Sequence, residues 1–360
     1  MRIAIFVSGL VLLSLVTSAR GQQLREPRDF PVDPVAYIGG NEVAGKDELV
    51  IERGGYRYKF VDANNKAMFE KEPERYEIQL GGACARMGPL NPGGPTDLYA
   101  LHDGKIYIFA SENCRQAFLT NAEAFLESDD PPPDVSDESI RRGRELLDQA
   151  VNAMGGAEKI DAIKTYDDKM YMVAGNDNAY NGLWISFPNS FCQKSKREER
   201  WWLMAAAADT AWFDTNERFH PMASVQQRAF QREMSRLLLV IVKSRAQPTF
   251  VCSWTGPGEI ENQAVEQVAV ALNGATSTLM IDPKTGKILG ETYRARGPNG
   301  FLGEAQFAYS DFQSFDGITL PITWKARFNG EYIAEHSGTL DEVHVNAQFD
   351  DKMFQMPKEK

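Results

Sequence analysis

The chain has 360 residues, 43% of them hydrophobic, and a formal net charge of −11. That length accommodates two domains, each able to bury a core. The acidic balance argues against nucleic acid and against an anionic membrane surface as partners.

The first element is "MRIAIFVSGLVLLSLVTSARGQQ". Arg2 is a short positive start, Ile3 to Val16 are apolar, and small residues Ser18, Ala19 and Gly21 follow. This layout predicts a cleaved secretory signal over 1–21 and a periplasmic or secreted address. The apolar run falls short of the roughly 20 residues of a spanning helix, and no second run of membrane length follows, so no integral membrane span is expected. Cleavage would remove Arg2 and Arg20 and bring the charge near −13. All four cysteines, Cys84, Cys114, Cys192 and Cys252, lie in the exported part. An oxidising compartment makes disulfides plausible there, and no C-x-x-C motif is present.

The next stretch repeats itself. Gly55 to Tyr76 aligns without a gap on Gly104 to Phe125 at a constant offset of 49. Gly55/Gly104, Tyr58/Tyr107, Phe60/Phe109, Asn64/Asn113, Phe69/Phe118 and Glu74/Glu123 are identical pairs. Alternating rings place Tyr58 with Phe60, and Tyr107 with Phe109, on one face of a strand. The following residues have helical spacing, with Phe69 and Phe118 inward. Each unit thus reads as a β-hairpin running into a short helix. One unit cannot cover its aromatic face, and two stacked units can.

The motifs "DPVAY" (33–37), "GYRYKF" (55–60), "AMFEKEPERY" (67–76), "GGACA" (81–85) and "IYIFASENCRQAFLTNAEAFL" (106–126) resemble the YHS domain, over residues 33–128. The resemblance is to the exported branch of that family; the cysteine-rich branch is described as metal-binding. This sequence has Ala36 and Ala110 where that branch has cysteines. A metal site would have to use Cys84, Cys114 and His102, and soft-metal sites want three or four converging ligands. For Cys84 and Cys114 three readings stay open: a structural disulfide, two buried thiols, or a metal or redox site.

"ESDDPPPDVSDES" (127–139) cannot be a strand or a helix interior, and its centre, 129–136, reads as a linker. Ser136 then looks like the N-cap of a helix ending at Gly155-Gly156. From Lys164 onward short runs rich in β-branched and aromatic residues alternate with turns such as Asp316-Gly317 and Asn329-Gly330. Regular hairpin spacing suggests an antiparallel meander curling toward a barrel. "QREMSRLLLVIVKSR" (231–245) interrupts it, as a buried helix or a buried strand.

"MGGAEKIDAIKT" (154–165), "LMIDPKTGKILGETY" (279–293), "AYSDFQSFDGITLPITW" (308–324) and "VHVNAQFDDKMFQMP" (343–357), in that order, resemble the lipoprotein-carrier, LolA-like family. The resemblance implies a half-open barrel over 137–357, plugged by helices and able to hold acyl chains. The expected fold class is therefore α+β: a double hairpin–helix unit, then a strongly curved antiparallel sheet with plugging helices. Apolar candidates for its concave face are Trp184, Trp212, Leu238, Trp254 and Trp324, although core packing is the commoner use of such side chains. A Cys192–Cys252 bridge would close a long loop and add roughly 3–4 kcal/mol in the chain-entropy model. "KSKREER" (194–200) reads as a solvated strand edge or turn, with a docking patch as the alternative.

No G-x-S-x-G, H-E-x-x-H, P-loop or dinucleotide motif occurs. His102, His220, His336 and His344 are scattered. The sequence thus suggests an exported, non-catalytic binding protein for an apolar ligand, lipid or acyl chain, or for an envelope protein. The rivals are a metal-handling protein acting through the first unit, with a metal ion as its only cofactor, and a structural adaptor of an envelope complex.

Overall fold

A computed structural model describes residues 23–91, 93–171, 179–207, 210–216 and 218–358. The segment read as an export signal lies outside the described residues.

The repeat is carried by the backbone as well as by the sequence. Helices Ala63–Lys71 and Glu112–Thr120 have the same length and the same offset. Asp62 caps the first by accepting from the Asn65 amide at 2.9 Å, and Ser111 caps the second by accepting from the Cys114 amide at 3.3 Å. Such caps satisfy an amide that the helix cannot bond internally. The rings superpose pair by pair. Tyr58–Phe69 centroids are 4.9 Å apart and Tyr107–Phe118 centroids 5.0 Å apart. Phe60–Phe69 and Phe109–Phe118 are both 5.3 Å apart. Strand Lys105–Ile108 joins the halves, because its alternating side chains serve both. Ile106 and Ile108 enter the core of the first repeat, while Tyr107 enters that of the second.

The linker region is tied down by charge. Arg232 pairs with Glu127, and Arg236 donates to Asp130 at 2.8 Å. Arg296 reaches Glu127 at 2.6 Å and the carbonyl of Phe125 at 2.8 Å. Helix Asp137–Ala153 follows, with reciprocal caps between Ser136 and Ser139. It buries Gly143, Leu146, Leu147, Ala150 and Val151, one face at helical spacing. At Gly143 a β-carbon would lie 2.8 Å from the Trp254 backbone nitrogen, so only glycine lets this helix sit so close to its strand.

The rest is not the single curved sheet expected from sequence. Among the described residues it is two open eight-stranded sheets. The first runs from Gln23–Leu24 through the strands between Thr165 and Pro221 to Glu342–Val345, which pairs with Thr165–Tyr171. All its pairings are antiparallel except that of Gln23–Leu24 with Arg218–Phe219. The second holds the strands from Val251–Ile260 to Glu331–Tyr332, with Gly338–Thr339 beside Ile318–Phe328. The reason for the division lies in the ambiguous apolar stretch. Residues 224–244 form two helices, Ser224–Ser235 and Leu238–Ser244, between the last hairpin of one sheet and the first strand of the other. Leu239, Val240, Ile241 and Val242 are all buried. A segment apolar all round must be enclosed, and here it is enclosed between the sheets. Most of the apolar core forms one cluster there, joined by Leu90 from the N-terminal unit.

Candidate ligand-binding cavity

Side-chain alternation assigns the two faces of the first sheet. On the inner face Tyr166, Asp168 and Met170 share one strand with Leu183 and Ile185 beside them, and Gln193, Ser195, Trp202 and Met204 follow. On the outer face Trp184, Cys192, Ala205, Trp212 and Phe219 pack under Phe354 and Met353. The Trp212 indole donates to the Phe354 carbonyl at 3.2 Å. The C-terminal turn thus fills one face.

The inner face is not filled. The helices occupy part of the space between the sheets, and beyond Leu237, Leu238 and Leu239 a cavity of about 690 Å³ is left. Glu291, Tyr293, Phe307, Tyr309, Leu320 and Trp324 of the second sheet form its other wall. Pockets of roughly 300–1,000 Å³ with apolar walls and a few placed polar groups are the usual form of a small-molecule site. A second cavity of about 510 Å³ adjoins it, sharing Gln193, Tyr293, Phe307 and His336. Its wall is charged, with Arg232, Arg236 and Arg296 facing Glu127, Asp130 and Glu233 next to residues 87–91 of the first unit.

Two acids interrupt the apolar wall. Glu291 is 5% exposed, and its Oε1 accepts from the Tyr309 hydroxyl at 2.6 Å. Its Oε2 is buried without a partner. Burial pushes its carboxyl up to about 7, against the lowering effects of the Tyr309 bond and the Arg236 charge. Burial likewise pushes Asp168 up to about 7, although Tyr166 hydrogen-bonds to it. By surface area Asp168 is only half-buried, because it borders the cavity.

Among the sequence candidates Leu238 and Trp324 line this cavity. Trp184 and Trp212 lie on the filled outer face. Trp254 packs at the edge of the main core and donates to Glu266 at 2.6 Å. Sequence reasoning missed Asp168 and Glu291, and it did not single out Trp202 from the domain's other tryptophans. Asp168 stands in phase with Tyr166 and Met170, a readable signal of an acid on an apolar face. Glu291 is hidden by a bulge. The register shifts between Met280 and Ile281, whose partners are Gly290 and Ile288, so Leu289 is the extra residue. Ile288 and Glu291 consequently share the inner face three residues apart, which strict alternation forbids.

The Cys192–Cys252 bridge that the sequence left open is not present. Cys192 lies under Trp212 on the first sheet, and Cys252 lies on the second sheet in the main core. All four cysteines are free and buried. Burial pushes the Cys192 and Cys252 thiols up to about 12, which makes them inert. Cys84 and Cys114 do meet. Burial raises the Cys84 thiol; at Cys114 burial is outweighed by hydrogen bonds involving Ser111, Cys84 and Arg86, which hold it below its ordinary value. His102 instead stands edge-on to the Phe118 ring at 5.5 Å. Among the described residues no three His, Cys, Asp or Glu side chains converge on a metal position, so these residues do not fit a soft-metal site. "KSKREER" is a hairpin between Ser190–Arg197 and Arg200–Ala207, and Lys194 lies over the Trp201 ring.

Among the described residues no helix is long and apolar enough to cross a membrane. No family model matches the sequence, and no curated protein matches it. Similar solved structures include a DUF1329 family protein from Desulfovibrio piger, 12% identical over 59% of this chain and 97% of that one, at a TM-score of 0.40. A putative outer membrane lipoprotein-sorting protein domain from Vibrio parahaemolyticus is 10% identical over 60% and 97%, at 0.36. A LolA superfamily protein from Nitrosomonas europaea is 9% identical over 59% and 97%, also at 0.36.

Proposed function

We propose that this chain is an exported, non-catalytic binding protein that holds an apolar ligand, a lipid or a single acyl chain, between its two sheets. The observation that carries the reading is the contrast in filling. The outer face of the first sheet is sealed by Phe354, whereas the inner face opens on about 690 Å³ bordered by Met170, Leu183, Leu238 and Leu320. Burying a hydrocarbon chain against such a wall is worth about 0.8 kcal/mol for each methylene removed from water. A twelve-carbon chain therefore brings about 10 kcal/mol of gross driving force, which at the lower end of association costs leaves binding on the order of 0.1 mM.

The test is organic extraction of protein purified from its native compartment, followed by lipid analysis, together with titration of a fluorescent fatty-chain probe. The reading expects close to one apolar ligand per chain and saturable probe binding. Absence of both would overturn it.

A further inference from the structure

The cavity is apolar but not neutral. Glu291 and Asp168 face it from opposite walls, and among the described residues neither lysine nor arginine lines it. We propose that the occupant is an amphiphile with an amine head, its alkyl chain along Leu183, Leu238 and Leu320 and its ammonium group beside the carboxyls of Asp168 and Glu291. The proposal rests on the apolar-ligand reading above and adds the chemistry of the head group.

A buried carboxylate oxygen without a donor is costly, and the cost falls when a donor arrives. Glu291 has its Oε1 engaged by Tyr309, while its Oε2 remains unpartnered inside the protein. A bulge at Leu289 turns this side chain inward; a regular strand would not place it there. The groups around the two acids set the sign of the field. Asp168 has Tyr166 on its own face and Asp167 next in sequence, and Asp167 points to the outer face toward His344 Nδ1 at 2.9 Å. Glu291 has Tyr293 and Tyr309 beside it, with Arg236 and Glu233 on the neighbouring helix. Arg236 is already committed, since it pairs with Asp130 and Glu233 and lies over the Tyr293 ring at 4.8 Å. His336 borders the same space. A fatty carboxylate would meet two acids and no free arginine. An ammonium would meet two acceptors in a low-dielectric site, where charge-assisted bonds are strong. Both acids sit near their midpoint at neutral pH, so an amine also draws them into the ionised form.

The experiment compares dodecylamine, dodecanol and dodecanoate, each below its micelle concentration, by displacement of the fluorescent probe from the full chain at pH 8 and pH 5.5. The expected order at pH 8 is dodecylamine tightest by at least about tenfold over dodecanol, which corresponds to 1.4 kcal/mol, with dodecanoate weakest. The preference should shrink at pH 5.5, where both carboxyls hold protons. It should also shrink at pH 8 in Glu291→Gln and Asp168→Asn, read as the ratio of dodecylamine to dodecanol affinity in each variant. Equal binding of all three probes, or dodecanoate at least as tight as the amine, overturns the head-group assignment and leaves the cavity reading standing. An amine preference that survives in both variants also overturns it. Binding of none of the three overturns both.

Discussion

One sheet of this protein carries two opposite solutions on its two faces. On the outer face Trp184, Cys192, Trp212 and Phe219 are covered by the C-terminal turn through Phe354. On the inner face Tyr166, Leu183, Trp202 and Met204 border an open volume, although they too are large and mostly apolar. Composition does not separate the faces. What separates them is whether a later segment returns to fill the space: residues 349–354 do so outside, and helix Leu238–Ser244 fills only part of the inside. An apolar surface left uncovered within a fold is the basis of the binding site proposed above.

This contrast is broken most directly on the filled face. Trp212→Ala removes a side chain that is 2% exposed and should cost about 3–5 kcal/mol in urea unfolding, by creating a cavity and freeing the Phe354 carbonyl. A loss under about 1 kcal/mol would mean that the outer face is not packed as described. On the inner face Leu238→Trp should do the reverse. The larger ring enters existing space, so stability should change by less than about 1.5 kcal/mol while probe binding weakens at least about tenfold.

The acids give a smaller effect that sharpens the comparison. The folded protein holds protons on Asp168 and Glu291 up to about pH 7, above their values in the unfolded chain. Between about pH 4 and 7 the native state therefore binds more protons, and stability should fall as pH rises through that window. Asp168→Asn should leave stability near pH 4 almost unchanged and raise it at pH 8 by roughly 1–3 kcal/mol. A flat difference across pH would contradict the burial of that carboxyl. On the outer face His344 is 54% exposed but Asp167 only 10%, so His344→Ala, which leaves that carboxylate without its partner, should cost about 1–3 kcal/mol.

What could be read in the sequence follows from range. The repeat was legible because its ring pairs, caps and helix all recur within some twenty residues, and the expected hairpin–helix units are present at the same offset. The capped helix at Ser136 was legible for the same reason. The division into two sheets was not. It depends on residues 231–245 being helical, and an apolar run buried on all sides has no period to betray which structure it adopts. The tryptophans misled by composition: Trp324 reached the cavity, but Trp184 and Trp212 took the other face of the same strands. Face is set by register against partners more than a hundred residues away, such as Phe354. Glu291 was out of reach because one bulged residue reverses the phase of its strand.

The proposed function requires that the inner hollow hold a hydrocarbon chain. Probe titration on the unmodified protein and on Leu238→Trp, with unfolding measured on both, tests it most directly. The account predicts saturable binding near one site per chain, lost in the variant while the fold stays intact. Saturable binding that the variant retains in full would place the ligand elsewhere and contradict it.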